Sequence, residues 1–120
     1  MKQNGKLSLK PLKGTPKMSN KYGAKRTWSN FCERMFASKA ECIRGEELKA
    51  FEIYGAITNL EYQKRFVLSE KPRVTIAIDF AYKEDGKQKY EDTKGVMTRD
   101  FRTKLAWLKE KHNIDVVLLR

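Results

Sequence analysis

Residues 76–95 read IAIDFAYKEDGKQKYEDTKG, and the way this stretch pairs with itself decides the fold. An apolar strand carries an aspartate, turns, and returns with two acids and a lysine. Asp85-Gly86 is a pair that two-residue hairpin turns favour, because both positions need backbone that Asp and Gly tolerate. With those two as the turn, Glu84 faces Lys87, Asp79 faces Asp92 and Ala77 faces Lys94. A four-residue loop centred on the same pair keeps this register; a three-residue loop shifts it. Residues directly opposite have Cβ atoms about 4.5–5.5 Å apart, and residues two apart share a face. Asp79, Asp92 and Lys94 therefore gather on one side of the hairpin.

Two like charges held opposite each other destabilise a hairpin, so something should offset them. Lys94 is one candidate, and a divalent cation, which takes carboxylate oxygens, is another. Thr75, Ala77 and Ala81 share the face of Asp79 and are small enough to leave room for a metal, a water and a phosphate. The competing reading is a surface charge cluster balanced by Lys94 and Lys87. The hairpin alone leaves both open.

Outward from the hairpin, Pro72 separates the strand RVTIAIDFAY from an earlier one, ITNLEYQKRFVL, over 57–68. Alternation there puts Glu61, Gln63 and Arg65 on one face and Leu60, Tyr62 and Phe66 on the other. Ser38 precedes a helix expected over 39–54, where Ala40, Ile43, Glu47, Ala50, Phe51 and Tyr54 recur at three-to-four spacing and Gly55 ends the run. A second helix is expected over 99–111, with Phe101, Leu105 and Leu108 along one side. DVVLL at 115–119 reads as a short buried strand. TWSNFCERMFA reads as a short hairpin ahead of all this. The order helix, three strands, helix, strand predicts an α/β domain with helices against a central mixed sheet.

The chain has 120 residues and a net charge of +11, and the excess is uneven. Residues 1–26 hold eight Lys or Arg and no acid. This predicts a basic, disordered arm at 1–26 and one folded domain at 27–120. Such an arm neutralises phosphates and releases counterions; the alternatives are a solubilising tail or attraction to an anionic membrane surface. No apolar run is long enough to span a bilayer, and the basic start lacks the apolar core of a secretory signal. Cys32 and Cys42 are too few for a disulfide scaffold and point to free thiols in a reducing cytosol. Zinc spacing and a Walker loop are both absent from the sequence. His112 is expected at the surface, and Trp28 and Trp107 in core or hairpin packing rather than stacked on bases.

A helix, then Asp on one strand, then Asp-x-Lys on the next resembles the PD-(D/E)XK nuclease superfamily, here as IDF and DTK (Asp92-Thr93-Lys94). Ile78 stands where the naming motif has proline. The chain is further similar, over about residues 20–119, to a small family of phage and prophage proteins of unknown function assigned to that superfamily. The resemblance rests on NKYGAK, SKAE, ELKAFEIYGAITNLEYQKRF, IDF and YEDTKG in that order.

That resemblance implies a restriction-endonuclease-like αβββαβ core and Mg²⁺-dependent hydrolysis of DNA phosphodiesters, with Mn²⁺ as a substitute. Asp79 and Asp92 would hold the metal, with the Thr93 carbonyl as a further ligand. Lys94 would orient or help deprotonate a water and offset phosphorane-like charge. Glu41 of SKAE would complete the site as a catalytic acid touching the metal, although Ser38-Lys39-Ala40-Glu41 also fits a capping box. Gln63, and less directly Glu61, would border the cleft. Arg99, Arg102 and Lys104 would meet flanking phosphates or form a solvated helix face. The implied setting is DNA in a bacterial host cytoplasm, with branched junctions as one substrate class and a homodimer as one expected state. The alternative is a non-catalytic DNA-binding module or host-takeover factor that retains the fold.

Overall fold

The structure is a computed structural model that describes residues 25–94 and 96–119. Apart from Lys25 and Arg26, the basic arm expected over 1–26 lies outside the described residues. The elements are β1 (Thr27–Ser29), β2 (Arg34–Phe36), α1 (Lys39–Tyr54), β3 (Thr58–Glu70), β4 (Arg73–Glu84), β5 (Lys87–Thr93), α2 (Arg99–His112) and β6 (Val117–Leu119). β1 and β2 form the small hairpin. The other strands form one mixed sheet in the order β3-β4-β5-β6, antiparallel except for the parallel β5–β6 pair, and both helices pack against it. The chain is an α/β protein, and the expected element order holds.

Local chemistry explains the boundaries. Ser38 caps α1 by accepting the Glu41 N–H at 3.1 Å. Gly55 ends the helix at φ 86°, a left-handed backbone that costs glycine little. Thr98 caps α2 from the Phe101 N–H, and Lys109, Lys111 and His112 lie at its negative end, where cations are favourable. Asp85-Gly86 makes the β4–β5 turn, and the register runs from Glu84 opposite Lys87 to Phe80 opposite Glu91, as the sequence predicts.

Two apolar clusters hold the helices. Under α1 lie Phe36, Cys42, Leu48, Ile57, Phe80 and Tyr82. Under α2 lie Leu68, Ile76, Ile78 and Leu108, joined by Phe66, Tyr90, Phe101 and Leu105. Alternate residues of β4 thus feed both clusters, which fixes the two helices along one strand.

The side α1 buries differs from its apolar spacing. Glu41, Cys42, Gly45 and Leu48 face inward, while Ile43, Phe51 and Tyr54 are 50%, 43% and 85% exposed. The cause is close approach. A Cβ on Gly45 would stand 2.6 Å from the Phe36 ring, so the small face is the one that fits against the hairpin and β4.

β6 differs from its expectation in burial. Among the described residues it is an edge strand bonded on one side, with Val117 55% exposed. Trp28 lies in the small hairpin opposite Met35, 54% exposed, with its Nε1 donating to Asn30 Oδ1. Cys32 and Cys42 are free thiols, and His112 is exposed as expected. Among the described residues no helix is long and apolar enough to cross a membrane.

Candidate functional site

The β4–β5 ladder gives way where the two aspartates meet. One step beyond Phe80–Glu91, side chains take over the pairing. The Asp79 N–H donates to Asp92 Oδ1 at 2.9 Å, and the Thr93 N–H and hydroxyl both donate to Asp79 Oδ2 at 2.9 Å. Each acid therefore reaches across to the opposite strand. β5 meanwhile stays paired to β6 through Asp92–Leu118 and Thr93–Leu119, and the Lys94 N–H continues to the Leu119 carbonyl. The strands fork, and the acids fill the fork.

α1 and β3 close it. Glu41, in the first turn of α1, is buried. Gln63 Nε2 donates to Glu41 Oε2 at 3.1 Å and to Asp79 Oδ1 at 3.0 Å, so one amide links two acids. Gln63 holds a φ of 52° inside β3. Left-handed backbone at such a residue costs about 1–3 kcal/mol and persists only where the surroundings enforce it. The capping box expected at Ser38–Glu41 is half formed: Ser38 caps, while the Glu41 carboxylate is engaged by Gln63.

Asp92 is 1% exposed. Its Oδ1 takes the Asp79 N–H, but its Oδ2 is buried with no hydrogen-bond partner. Lys94 Nζ stands 3.7 Å from that oxygen, within ionic reach and beyond hydrogen-bond length. The Lys94 ammonium lies 4.2 Å from the centre of the Phe101 ring, an arrangement that cation–π attraction favours.

The electrostatics follow from this crowding. Burial, then the charge of Asp79, pushes the Glu41 carboxyl up to about 7, against the Ala37 backbone, Gln63 and Arg34. Burial and Asp79 likewise raise Asp92, against the Asp79 N–H and Lys94, with Glu41 adding to the rise. A group of acids that hold protons near neutrality is short of positive charge.

Glu41, Gln63, Asp79, Asp92, Thr93 and Lys94 are thus brought together. Glu61 is not; it is exposed and pairs with Lys64. Arg99 and Arg102 are exposed, and Lys104 pairs with Asp100 at 3.4 Å.

The implied metal can be tested against these groups. As placed, no three acid, thiol or imidazole side chains among the described residues form a ready ligand set. The Gln63 amide stands between Glu41 and Asp79. The donor chemistry does fit a hard divalent cation: carboxylate oxygens, raised acid pKa values, and a buried Asp92 Oδ2 without a donor.

Sequence reasoning missed two neighbours. Arg44 forms a two-pronged bond to Glu91, Nε to Oε1 and the second amino group to Oε2, both 2.8 Å, and the Tyr82 hydroxyl donates to the same carboxylate. Arg34 lies over the Tyr62 ring at 4.2 Å, with its Nε buried and without a partner. Glu91 carried a signal: a strand residue beside a buried-face acid, opposite Phe80, needs a cation, and Arg44 is one helical turn from Glu41. Arg34 carried none, because the ring nearest it, Tyr62, comes from a distant strand.

No curated protein and no solved structure matches the chain. The family profile described as "Protein of unknown function (DUF1064)" matches residues 19–118, and the chain belongs to that family.

Proposed function

We propose that the protein is a divalent-metal-dependent DNA endonuclease built on a restriction-endonuclease-like core. The observation that carries the reading is the fork itself. Three acids and a lysine converge where β4 and β5 part, and a buried Asp92 oxygen is left without a donor. Mg²⁺, or Mn²⁺ in its place, would polarise a phosphate and make a bound water more acidic. Asp79, Asp92 and Glu41 are the residues that would hold it, and the Thr93 carbonyl would be a further ligand.

The protein's own groups do the remaining work. Lys94 lies beside Asp92 with its ammonium over Phe101, placed to orient a water and to offset charge developing on a phosphate. Gln63 holds Glu41 and Asp79 at fixed spacing. Ser38 and the hairpin fix the start of α1, and so the position of Glu41. DNA is the substrate class we infer, with branched phage DNA and a homodimer within the same reading, and bacterial cytoplasm as its setting. The basic residues of 1–26 would add affinity.

One observation favours a second reading. The Gln63 amide joins Glu41 to Asp79 directly, which completes that part of the cluster without a cation. A DNA-binding module or host-takeover factor that keeps the fold but no chemistry would look the same there.

The two readings separate in a cleavage panel of linear, nicked, single-stranded and four-way-junction DNA with Mg²⁺, Mn²⁺ or EDTA. Metal-dependent products from the wild type are expected. Asp92→Asn should lose on the order of 10²–10³-fold or more in rate, while staying folded. The amide oxygen introduced there would still accept the Asp79 N–H, and the change removes a buried charge. Binding without products under every metal condition would establish the second reading.

A further inference from the structure

Arg34 belongs to the β1–β2 hairpin, ahead of the αβββαβ core. Its guanidinium stacks 4.2 Å from the Tyr62 centroid and 5.5 Å from that of Phe36. Tyr62 immediately precedes Gln63, the residue that bonds Glu41 and Asp79. Phe36 stands two residues before the Ser38 cap of α1. The arginine is therefore held against β3, the strand that carries Gln63, and within the strand that leads into α1, the helix that carries Glu41. Its charge acts on Glu41, drawing that acid's pKa down against burial.

Stacking satisfies the flat face of a guanidinium but none of its N–H groups. Among the described residues Arg34 forms no ion pair, and its Nε is buried without an acceptor. Residues 1–24 contain no Asp or Glu, so that stretch holds no carboxylate for it. Arg44, Arg65 and Arg73, by contrast, each donate to a side-chain oxygen. A half-buried, pre-stacked arginine whose fork meets no acceptor among the described residues suits a tetrahedral oxyanion, which accepts two parallel N–H bonds.

We propose that Arg34 is a phosphate-binding residue of this site, and that its fork takes a DNA backbone phosphate beside Glu41 and Gln63. This rests on the nuclease reading for the identity of the substrate and makes the N-terminal hairpin part of the binding surface.

The test uses the full chain, a short DNA duplex and three variants. Arg34→Met keeps an apolar stem over Tyr62 and removes the charge. Arg34→Gln is a second charge-free form should the first fail to fold, and thermal melting checks both. Arg34→Lys keeps charge without the fork. Binding is titrated in EDTA at several salt concentrations, and cleavage is followed at saturating DNA with Mg²⁺. The charge-free variants should lower the log–log salt slope by about 0.9, the effect of one phosphate contact. Their cleavage should fall on the order of tenfold to a hundredfold, from a misplaced phosphate. Arg34→Lys should restore the slope and only part of the rate.

An unchanged slope in folded Arg34→Met or Arg34→Gln overturns the proposal, whatever the rate, since a lost rate alone would mean action through Glu41. A wild type that binds but never cleaves sinks the hydrolytic reading and leaves the slope to decide Arg34. A wild type that binds no DNA overturns both.

Discussion

Glu91 and Asp92 stand next to each other on β5, 5% and 1% exposed, and they are treated oppositely. Burial pushes the Glu91 carboxyl up, yet two bonds from Arg44 and one from Tyr82 bring it below its ordinary value. Asp92 has one backbone N–H on one oxygen and a lysine at 3.7 Å from the other, and its pKa rises. The same strand thus carries a completed ion pair on one side and an unfinished one on the other. A completed network fixes structure, and an uncompensated one is poised for an incoming charge. The pair also holds the acids in place: Arg44 lies one turn after Glu41 on α1, and Glu91 lies one residue before Asp92.

Removing one charged group from each side separates the two acids most strongly. Arg44→Ala leaves Glu91 buried and unpaired, and should cost about 3–5 kcal/mol. In a domain of this size that lowers the melting midpoint by ~10 °C or more. Asp92→Asn should leave the midpoint unchanged or raise it. Equal losses in the two variants, read by thermal or denaturant melts, would mean that both clusters are structural.

Much of this site was legible because hairpin chemistry is local. Asp85-Gly86 sets the register, and the register brings Asp79 to Asp92 with no knowledge of the rest of the chain. The bounds of α1 were legible for the same reason, through Ser38 and Gly55. The face that α1 buries was not. Ile43, Phe51 and Tyr54 have the apolar spacing, but Gly45 admits the Phe36 ring, and only the folded hairpin puts that ring there. Arg44–Glu91 and Arg34–Tyr62 were hidden likewise. Each joins residues far apart in sequence, and charge alone does not reveal which cation meets which acid or ring. Gln63 was visible by alternation, but its positive φ was not, because no sequence rule places a left-handed glutamine in a strand.

A smaller effect sharpens the unfinished side. Ser38 and Glu41 share a helix start yet should separate cleanly by assay. Ser38→Ala removes the acceptor of the Glu41 N–H and should cost about 1 kcal/mol, while cleavage persists. Glu41→Gln keeps a side chain able to bond Gln63 and removes the charge, so stability should hold while cleavage is lost. A Glu41→Gln protein that cuts at the wild-type rate would leave Glu41 a structural role through its bond from Gln63.

The two clusters should also leave opposite marks on stability against pH. Glu41 sits at about 7 in the fold against an ordinary 4.5, and Asp92 is displaced the same way. Between those values the folded protein holds protons that the unfolded chain releases, so stability falls as pH rises. The contribution is complete below about 4.5 and is gone once pH passes about 7. Glu91 runs the other way. Its lowered value favours the fold above the ordinary carboxylate range, and that contribution is lost as pH falls through its folded value. In EDTA the melting midpoint should therefore peak on the mildly acidic side, with a falling limb on each flank. Glu41→Gln with Asp92→Asn should flatten the neutral limb and spare the acid limb. Mg²⁺ added to the wild type above pH 7 should raise the midpoint, because a cation replaces the missing protons. A neutral limb of full size in the double variant would assign it to other groups. A midpoint indifferent to Mg²⁺ and Mn²⁺ would mean that the unfinished side of β5 receives no metal, leaving the Gln63 amide as the link that completes it.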